Sequence, residues 1–311
     1  MPLLSRKRLI LAKTESTYGT DPTPTGSSNA ILIRNLEVTP LQADVVTRDL
    51  IRPYLGNSDQ LLANTRVEIT FEVELAGSGT AGTAPAYGPV LKACGLSETV
   101  VATTSVTYAP VSASFSSCTI YFHNDGIRHK LTGCRGTWSV SAEVGAIPFI
   151  SFTMTGIYNA PTDETLPTPT YSNQVAPLIF KNGNTSNFSI FSYSGCLQSL
   201  SFDVANEVIY RELVGCTKEV LITNRGPNGT AVIEAPSIAT KDFFTIANGS
   251  STGSITFQHG ATAGNIVTFT APQSDIGSPT YSDQDGIQML NLPYLAIPSS
   301  SGNDEVSLAF T

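Results

Sequence analysis

The sequence predicts an all-β protein of two tandem β-sandwich or half-barrel domains, each with one short flanking helix. Three observations carry this reading. Val67-Glu-Ile-Thr-Phe-Glu-Val-Glu-Leu75 alternates apolar and polar residues without a break, the period of a strand with one face in the core and one in water. Only 14% of the 311 residues are charged, while Gly, Ser, Thr and Pro are abundant, which is the composition of a turn-rich β protein and not of a helical or disordered one. Finally, a set of landmarks occurs twice along the chain in the same order.

Taken in order, residues 1–30 form an N-terminal arm: Arg6-Lys7-Arg8, then a Thr/Pro/Gly/Ser tract. It reads either as a disordered tail or as an arm ordered only against neighbouring copies, its cations on their acidic surface. The charges that follow the first leucines do not make a secretion signal, and no apolar run has the length of a membrane span. Residues 31–38 read as a strand. In residues 39–65 the apolar positions are too irregular for one strand, and a segment of this length is expected to be a functional loop. In the alternating strand that follows, Val67, Ile69, Phe71, Val73 and Leu75 face one side and Glu68, Thr70, Glu72 and Glu74 the other.

Residues 85–96 predict the one clear helix. Tyr87, Val90, Leu91 and Cys94 share a face, Pro85 and Pro89 suit only a first turn, and Gly95 fits the left-handed position that ends a helix. A short helix with one apolar face must lie on a sheet. Strands are expected over 99–111 and 117–122, with a hairpin turn at Asn124-Asp125-Gly126. Trp138, Val140, Ala142 and Val144 point inward from the next strand, and Ile150, Phe152 and Met154 from its return. Residues 31–160 thus make a first domain, 161–177 a Pro/Thr-rich linker, and 178–311 a second domain.

The second half repeats the plan: a strand at 199–204, a long segment at 207–229, a weak strand at 231–234, a short helix within 238–248, then strands at 255–258, 265–270, 287–297 and 305–310. Leu36/Leu200, Arg48/Arg211, Gly95/Gly249 and Phe152/Phe310 are the paired landmarks, and they indicate a duplication.

Patterns that would carry catalysis fail on their context. Gly77-Ser-Gly-Thr-Ala-Gly82 with Glu98 beyond it matches the dinucleotide fingerprint, but the strand before it carries glutamates on one face, prolines delay the helix, and no further β-α units follow. It reads as a flexible hairpin or loop. Gly249-Ser-Ser-Thr-Gly253 follows a helix and has no acid between Ser251 and His259. His123, Asp125 and His129 straddle a hairpin with no fourth ligand. The expectation is no enzyme, no cofactor and no metal. Five cysteines, an odd count without a Cys-x-x-Cys pair, argue against a disulfide framework or a zinc ribbon and point to a reducing cytoplasm, with Cys94 and Cys134 expected buried as small hydrophobes. Of the net charge of −8, −6 lies from residue 178 onward, a balance that disfavours wrapping nucleic acid but not a surface past which it slides.

Leu91-Lys-Ala-Cys-Gly95, placed after the alternating strand and Gly-rich stretch, and the opening Leu11-Ala-Lys-Thr-Glu-Ser-Thr-Tyr-Gly-Thr-Asp-Pro-Thr-Pro24 together resemble the major tail tube protein of long-tailed, siphovirus-like bacteriophages. The resemblance covers the first half of the chain best. It implies a tail-tube-type β-sandwich or half-barrel for each of the two tandem domains, rings whose sheets join into one inner barrel, and stacked rings that form a virion conduit for DNA delivery, assembled in the host cytoplasm. It favours an arm ordered against other copies and a helix outside the lumen. Glu68, Glu72 and Glu74 are then expected to face the lumen. The long segments 39–65 and 207–229 are expected to reach the adjacent ring, the first through Leu50, Ile51, Tyr54, Leu55, Leu61 and Leu62. Duplicated domains imply a homotrimeric ring with pseudo-sixfold symmetry. The alternative is a homohexamer in which 178–311 is an immunoglobulin-like decoration domain. Family partners would be a tape measure protein and a tail terminator or distal tail protein, with DNA passing unbound and no membrane involved. A surface or secreted carbohydrate-binding module is the reading from another class, and a hydrolase is a third. The first would need exposed aromatics, whereas the one Trp sits in a core pattern.

Overall fold

The computed structural model describes residues 3–311. The first half contains β1 (Arg8–Thr14), α1 (Gly26–Asn29), β2 (Ala30–Ile31), β3 (Arg34–Thr47), β4 (Gln60–Glu74), α2 (Gly88–Ala93), β5 (Leu96–Val101), β6 (Ser105–Pro110), β7 (Cys118–Asn124), β8 (Ile127–Glu143), β9 (Phe149–Tyr158) and β10 (Thr162–Asp163). The second contains β11 (Thr185–Ile190), β12 (Leu197–Asp203), β13 (Asn206–Arg211), β14 (Glu219–Arg225), β15 (Asn228–Glu234), α3 (Phe243–Asn248), β16 (Thr252–His259), β17 (Val267–Ile276), β18 (Thr280–Gln284), β19 (Ile287–Ala296) and β20 (Ser307–Phe310). The fold is all-β.

Two layers face each other. One is an eight-stranded antiparallel sheet in the order β3-β4-β9-β8-β12-β15-β19-β18. The other runs β5-β6-β20-β17-β16-β11. Both cross from one half of the chain to the other, the first at β8–β12 and the second at β6–β20. The strand alternation sets what lies between them. Phe71, Phe152, Trp138, Phe202 and Phe269 all point inward and are buried. Phe202 stands 5.3 Å from Trp138 and 5.2 Å from Phe269, so aromatic packing carries one core across the junction.

The predicted helix forms over Gly88–Ala93, shorter than 85–96 because Pro85 precedes it and Leu96 opens β5. Tyr87, Val90, Leu91 and Cys94 are buried as their spacing requires, and Gly95 ends the helix at φ +82°. The helix packs against β1, β5, β7 and β8. α3 starts at Asp242, whose carboxylate accepts from the Phe244 and Thr245 amides.

The structure corrects several expectations. The arm is not free: β1 pairs along its whole length with β7 of its own chain, and Lys7 meets Asp125. Its anchor is Glu15, a buried carboxylate that accepts from Ser117 Oγ, Thr119 Oγ1 and the amides of Gly19 and Gly133 at 2.6–2.8 Å. A charge is tolerated there because every donor is in place. The segment 39–65 is not a loop but the arms of a long β3–β4 hairpin with its tip at 48–59. Its pattern is irregular because arms that leave the sandwich have no core to face, and the ladder alone holds them. The segment 207–229 is likewise a β13–β14 hairpin.

The Gly77–Gly82 stretch is a loop, but one held against the second half of the chain. A Cβ on Gly77 would lie 2.1 Å from the Gly264 carbonyl oxygen, and the Gly79 amide donates to that same oxygen. The glycines let backbone from the two halves touch. By sheet position the counterpart of Phe152 is Leu292 on β19, not Phe310, whose strand β20 belongs to the opposite layer. Strand β11 escaped the sequence reading because its residues are mostly polar and part-exposed.

Candidate functional site and assembly surfaces

The outward face of the eight-stranded sheet is mostly polar from β3 to β12, with Phe149 its apolar exception there, while β15 and β19 add Val232, Met289, Pro293 and Leu295 to it. Across its first half, cross-strand partners on this face are Thr39, Glu68 and Thr155; Glu37, Thr70, Thr153 and Thr137; and Arg34, Glu72, Ser151 and Ser139. Across the junction, Ser139 meets Asp203, Ser141 meets Ser201, and Glu143 meets Ser199; Ser201 then meets Thr230, and Glu234 closes β15. Glu68, Glu72 and Glu74 therefore stand on the same face as Glu37, Glu143, Asp203 and Glu234.

Cations on this face are already engaged. Arg34 bonds Glu72 at 2.7 Å and stacks 4.3 Å over the Phe149 ring, and Asn35 donates to the same Glu72 oxygen. Arg66 reaches Asp44 at 3.3 Å. Arg135 donates to the Val220, Phe115 and Ser116 carbonyls. Glu37, Glu68, Glu74, Glu143, Asp203 and Glu234 have no ion-pair partner among the described residues. From β3 to β12 the face is thus a net carboxylate surface spread over Ser and Thr, with Glu234 alone extending it onto β15. The sequence pointed to the three glutamates of β4. Glu143 was legible from the alternation of β8, but Asp203 and Glu234 join the face only through the β8–β12 pairing.

The two hairpins differ. The β3–β4 tip carries Leu50, Ile51, Tyr54 and Leu55, all exposed, with Leu61 and Leu62 exposed on the adjoining arm. An Arg48–Asp59 ion pair at 2.9 Å closes the tip. The β13–β14 hairpin instead folds down on its own chain. Val220 donates to Tyr18 Oη at 2.5 Å, Arg135 stacks 4.8 Å from the Tyr18 ring, and Asn206 donates to the Cys94 and Gly136 carbonyls. Burial pushes the Tyr18 phenol up to about 12. Its turn, with Leu213 and Val214, stands exposed, as does Ile209 on β13. Between this hairpin and the polar face runs a groove of about 540 Å³, lined by Asp44, Arg66, Glu68, Thr153, Asn206 and Tyr210.

The other candidate motifs take structural roles. Glu98 accepts from Tyr108 Oη at 2.6 Å and pairs with Lys92 at 3.0 Å. His129 stacks on Phe122, its cross-strand partner, while His123 pairs with Arg128 and so faces the other side of the hairpin. Among the described residues no group of His, Cys, Asp and Glu could hold a metal. No helix of the described residues is long and apolar enough to cross a membrane. Cys94, Cys118 and Cys134 are free and buried, Cys196 and Cys216 free and exposed.

All three histidines are held below the usual histidine value by burial. The folded state therefore favours their neutral form. The stability this gives is complete above the unfolded value of about 6.5 and is lost as pH falls through the lowered folded values. Thermal unfolding is expected at a lower temperature near pH 5 than near pH 7, as calorimetry across that range would record.

A sandwich that leaves both edges of a broad sheet unpaired and projects an apolar hairpin is built as a structural subunit. The comparison with known families gives that subunit its place: the model of the phage tail tube protein matches residues 5–310, nearly the whole chain. The chain belongs to the phage tail tube protein family, a structural component of the virion tail that self-assembles into the tube. No curated protein matches it.

Proposed function

We propose that copies of this chain join edge to edge into rings, that rings stack, and that phage DNA passes through the resulting lumen on its way into the host. The observation that supports this is the sheet itself: each half of the chain contributes four strands, β3-β4-β9-β8 and β12-β15-β19-β18, to one continuous layer. Closing such layers into a barrel removes both open edges. Three chains would supply six equivalent units, giving a trimer with pseudo-sixfold symmetry and two tube-type domains, 31–160 and 178–311, per chain. A hexamer with 178–311 as outer decoration would leave the strands of that half without a part in the barrel. Native mass measurement of isolated rings tests this directly: three chains are expected, and six overturn the trimer. The tape measure protein and a terminator or distal tail protein would be the partners at the bore and the ends.

In this reading the polar face lines the lumen, with Glu68, Glu72 and Glu74 among its carboxylates. DNA carries about one charge per 1.7 Å of axis, so a basic lining would hold it through counterion release while an acidic one lets it slide. Glu72 is the weakest contributor, since Arg34 offsets it. Tubes of a Glu68→Lys/Glu74→Lys/Glu143→Lys variant are expected to retain short duplex DNA, with binding lost steeply between about 50 and 200 mM salt. Wild-type tubes should retain none. Variant tubes that let DNA pass would move the carboxylates out of the lumen.

The β3–β4 hairpin is proposed to contact the next ring through Leu50, Ile51, Tyr54, Leu55, Leu61 and Leu62. Apolar side chains this exposed on one projection call for a cover.

A further inference from the structure

Within the chain, β8 and β12 form the one place where the two four-stranded units of the eight-stranded sheet meet. We propose that this internal junction is the template for the contact between chains: the free edge of β18 pairs antiparallel with the free edge of β3 of the partner subunit, with Tyr281 opposite Val38 of the partner subunit. The inference rests on the ring reading above and specifies its joint.

Strand direction supports it first. Each pairing in the sheet is antiparallel and the strands number eight, so the two outermost, β3 and β18, run in opposite senses. Rotation about a ring axis preserves strand sense. The edges that meet are therefore antiparallel, as β8 and β12 are, and no parallel seam interrupts the barrel.

Register follows from equivalent positions. Both ladders end on the same bond, from the Leu75 amide to the Pro148 carbonyl and from the Ala235 amide to the Gln288 carbonyl, which sets Ala231–Leu292 and Ile233–Leu290 of β15–β19 in the places of Phe71–Phe152 and Val73–Ile150 of β4–β9. One strand further along, Val140 pairs with Ile150 as Tyr281 pairs with Leu290, which makes Tyr281 the counterpart of Val140. On the other side Phe202 pairs with Gly229 as Val38 pairs with Ile69, which makes Val38 the counterpart of Phe202. Inside the chain Phe202 and Val140 lie directly opposite and are both buried. At the free edges the same aromatic and β-branched pair recurs with its sides exchanged. There it is only half covered: Tyr281 is 55% exposed and Val38 lies part-buried at the margin of the core. Such pairs are a favourable cross-strand contact.

The polar neighbours agree. Glu37 would meet Ser282 of the partner subunit where Ser201 meets Ser141, and Thr39 would meet Thr280 of the partner subunit where Asp203 meets Ser139. Beyond Asp203 the internal junction ends on a bond from the Val204 amide to the Trp138 carbonyl. The equivalent position on β3 is Pro40, which has no amide to give, so the joint stops at Thr39.

Cysteine crosslinking tests the register. In a Cys196→Ser/Cys216→Ser background, Val38→Cys with Tyr281→Cys is oxidised in assembled tubes and resolved without reductant. Strands lie about 4.8 Å apart, so the two edges of one chain are on the order of 30 Å apart and an internal bridge cannot form. The expected result is conversion of most monomer into covalent multimers ending at the closed ring. The shifted pair Val38→Cys with Asp283→Cys should give at least several-fold less. Tubes that form normally but crosslink through the shifted pair, or through neither, overturn the joint while leaving the ring standing. Wild-type chains that never form rings overturn the ring reading instead. Hydrogen exchange on the unmodified protein decides the matter if the variants do not assemble. Amides of 36–39 and 280–284 should gain protection on assembly, and unchanged exchange at either segment counts against the pairing.

Discussion

Replacing residues 48–59 by an Asn-Gly turn is expected to abolish tube formation and leave a folded, soluble protein. Thr47 and Gln60 are the last paired residues of β3 and β4, so a two-residue turn reconnects them without disturbing the ladder below. What is lost is the exposed apolar tip, Leu50, Ile51, Tyr54 and Leu55, none of which touches the core. The Arg48–Asp59 pair goes too, at little cost, since an exposed ion pair contributes at most about 1 kcal/mol. Circular dichroism and thermal unfolding should match the parent, while electron microscopy shows rings or single chains in place of tubes. Normal tubes from this variant would remove the hairpin from the contact between rings.

Phe202→Ala is expected to destabilise the whole molecule by about 3–5 kcal/mol and to do so in one transition. Phe202 sits on β12, the strand through which the second half joins the first, and its ring lies between Trp138 of the first half and Phe269 of the second. Removing it opens a cavity in a core that both halves share. Differential scanning calorimetry checks both parts of the expectation. A variant whose second half melts alone, with the first unchanged, would divide the chain into independent domains at the linker.

These two experiments probe features that the sequence exposes unequally. The alternation of Val67–Leu75 placed its glutamates on one face without help from tertiary structure, because a strand's side chains have a period of two whatever it packs against. The helix ending at Gly95 was equally legible, since Tyr87, Val90, Leu91 and Cys94 and the left-handed glycine are local requirements. The all-β class followed from the same local signals.

The long β3–β4 hairpin was misread as a loop for a physical reason. A strand paired on a projecting arm buries neither face, so its sequence carries no alternation, and only the ladder between 34–47 and 60–74 reveals it. The arm was misread because Glu15 looks like any surface carboxylate until Ser117, Thr119 and Gly133 arrive from strands about a hundred residues away to satisfy it.

By itself, then, the sequence determined the fold class, the position of the helix and which side chains share a face, since each depends on neighbours a few residues apart. Tertiary structure alone decided that β8 pairs with β12 and β6 with β20, that the carboxylates of both halves form one surface, and that Val38 and Tyr281 stand at its two open edges. Those facts depend on which strands meet across the chain. Backbone hydrogen bonds join any two strands alike, so the choice is made by packing the whole core and leaves no mark on a local stretch of residues.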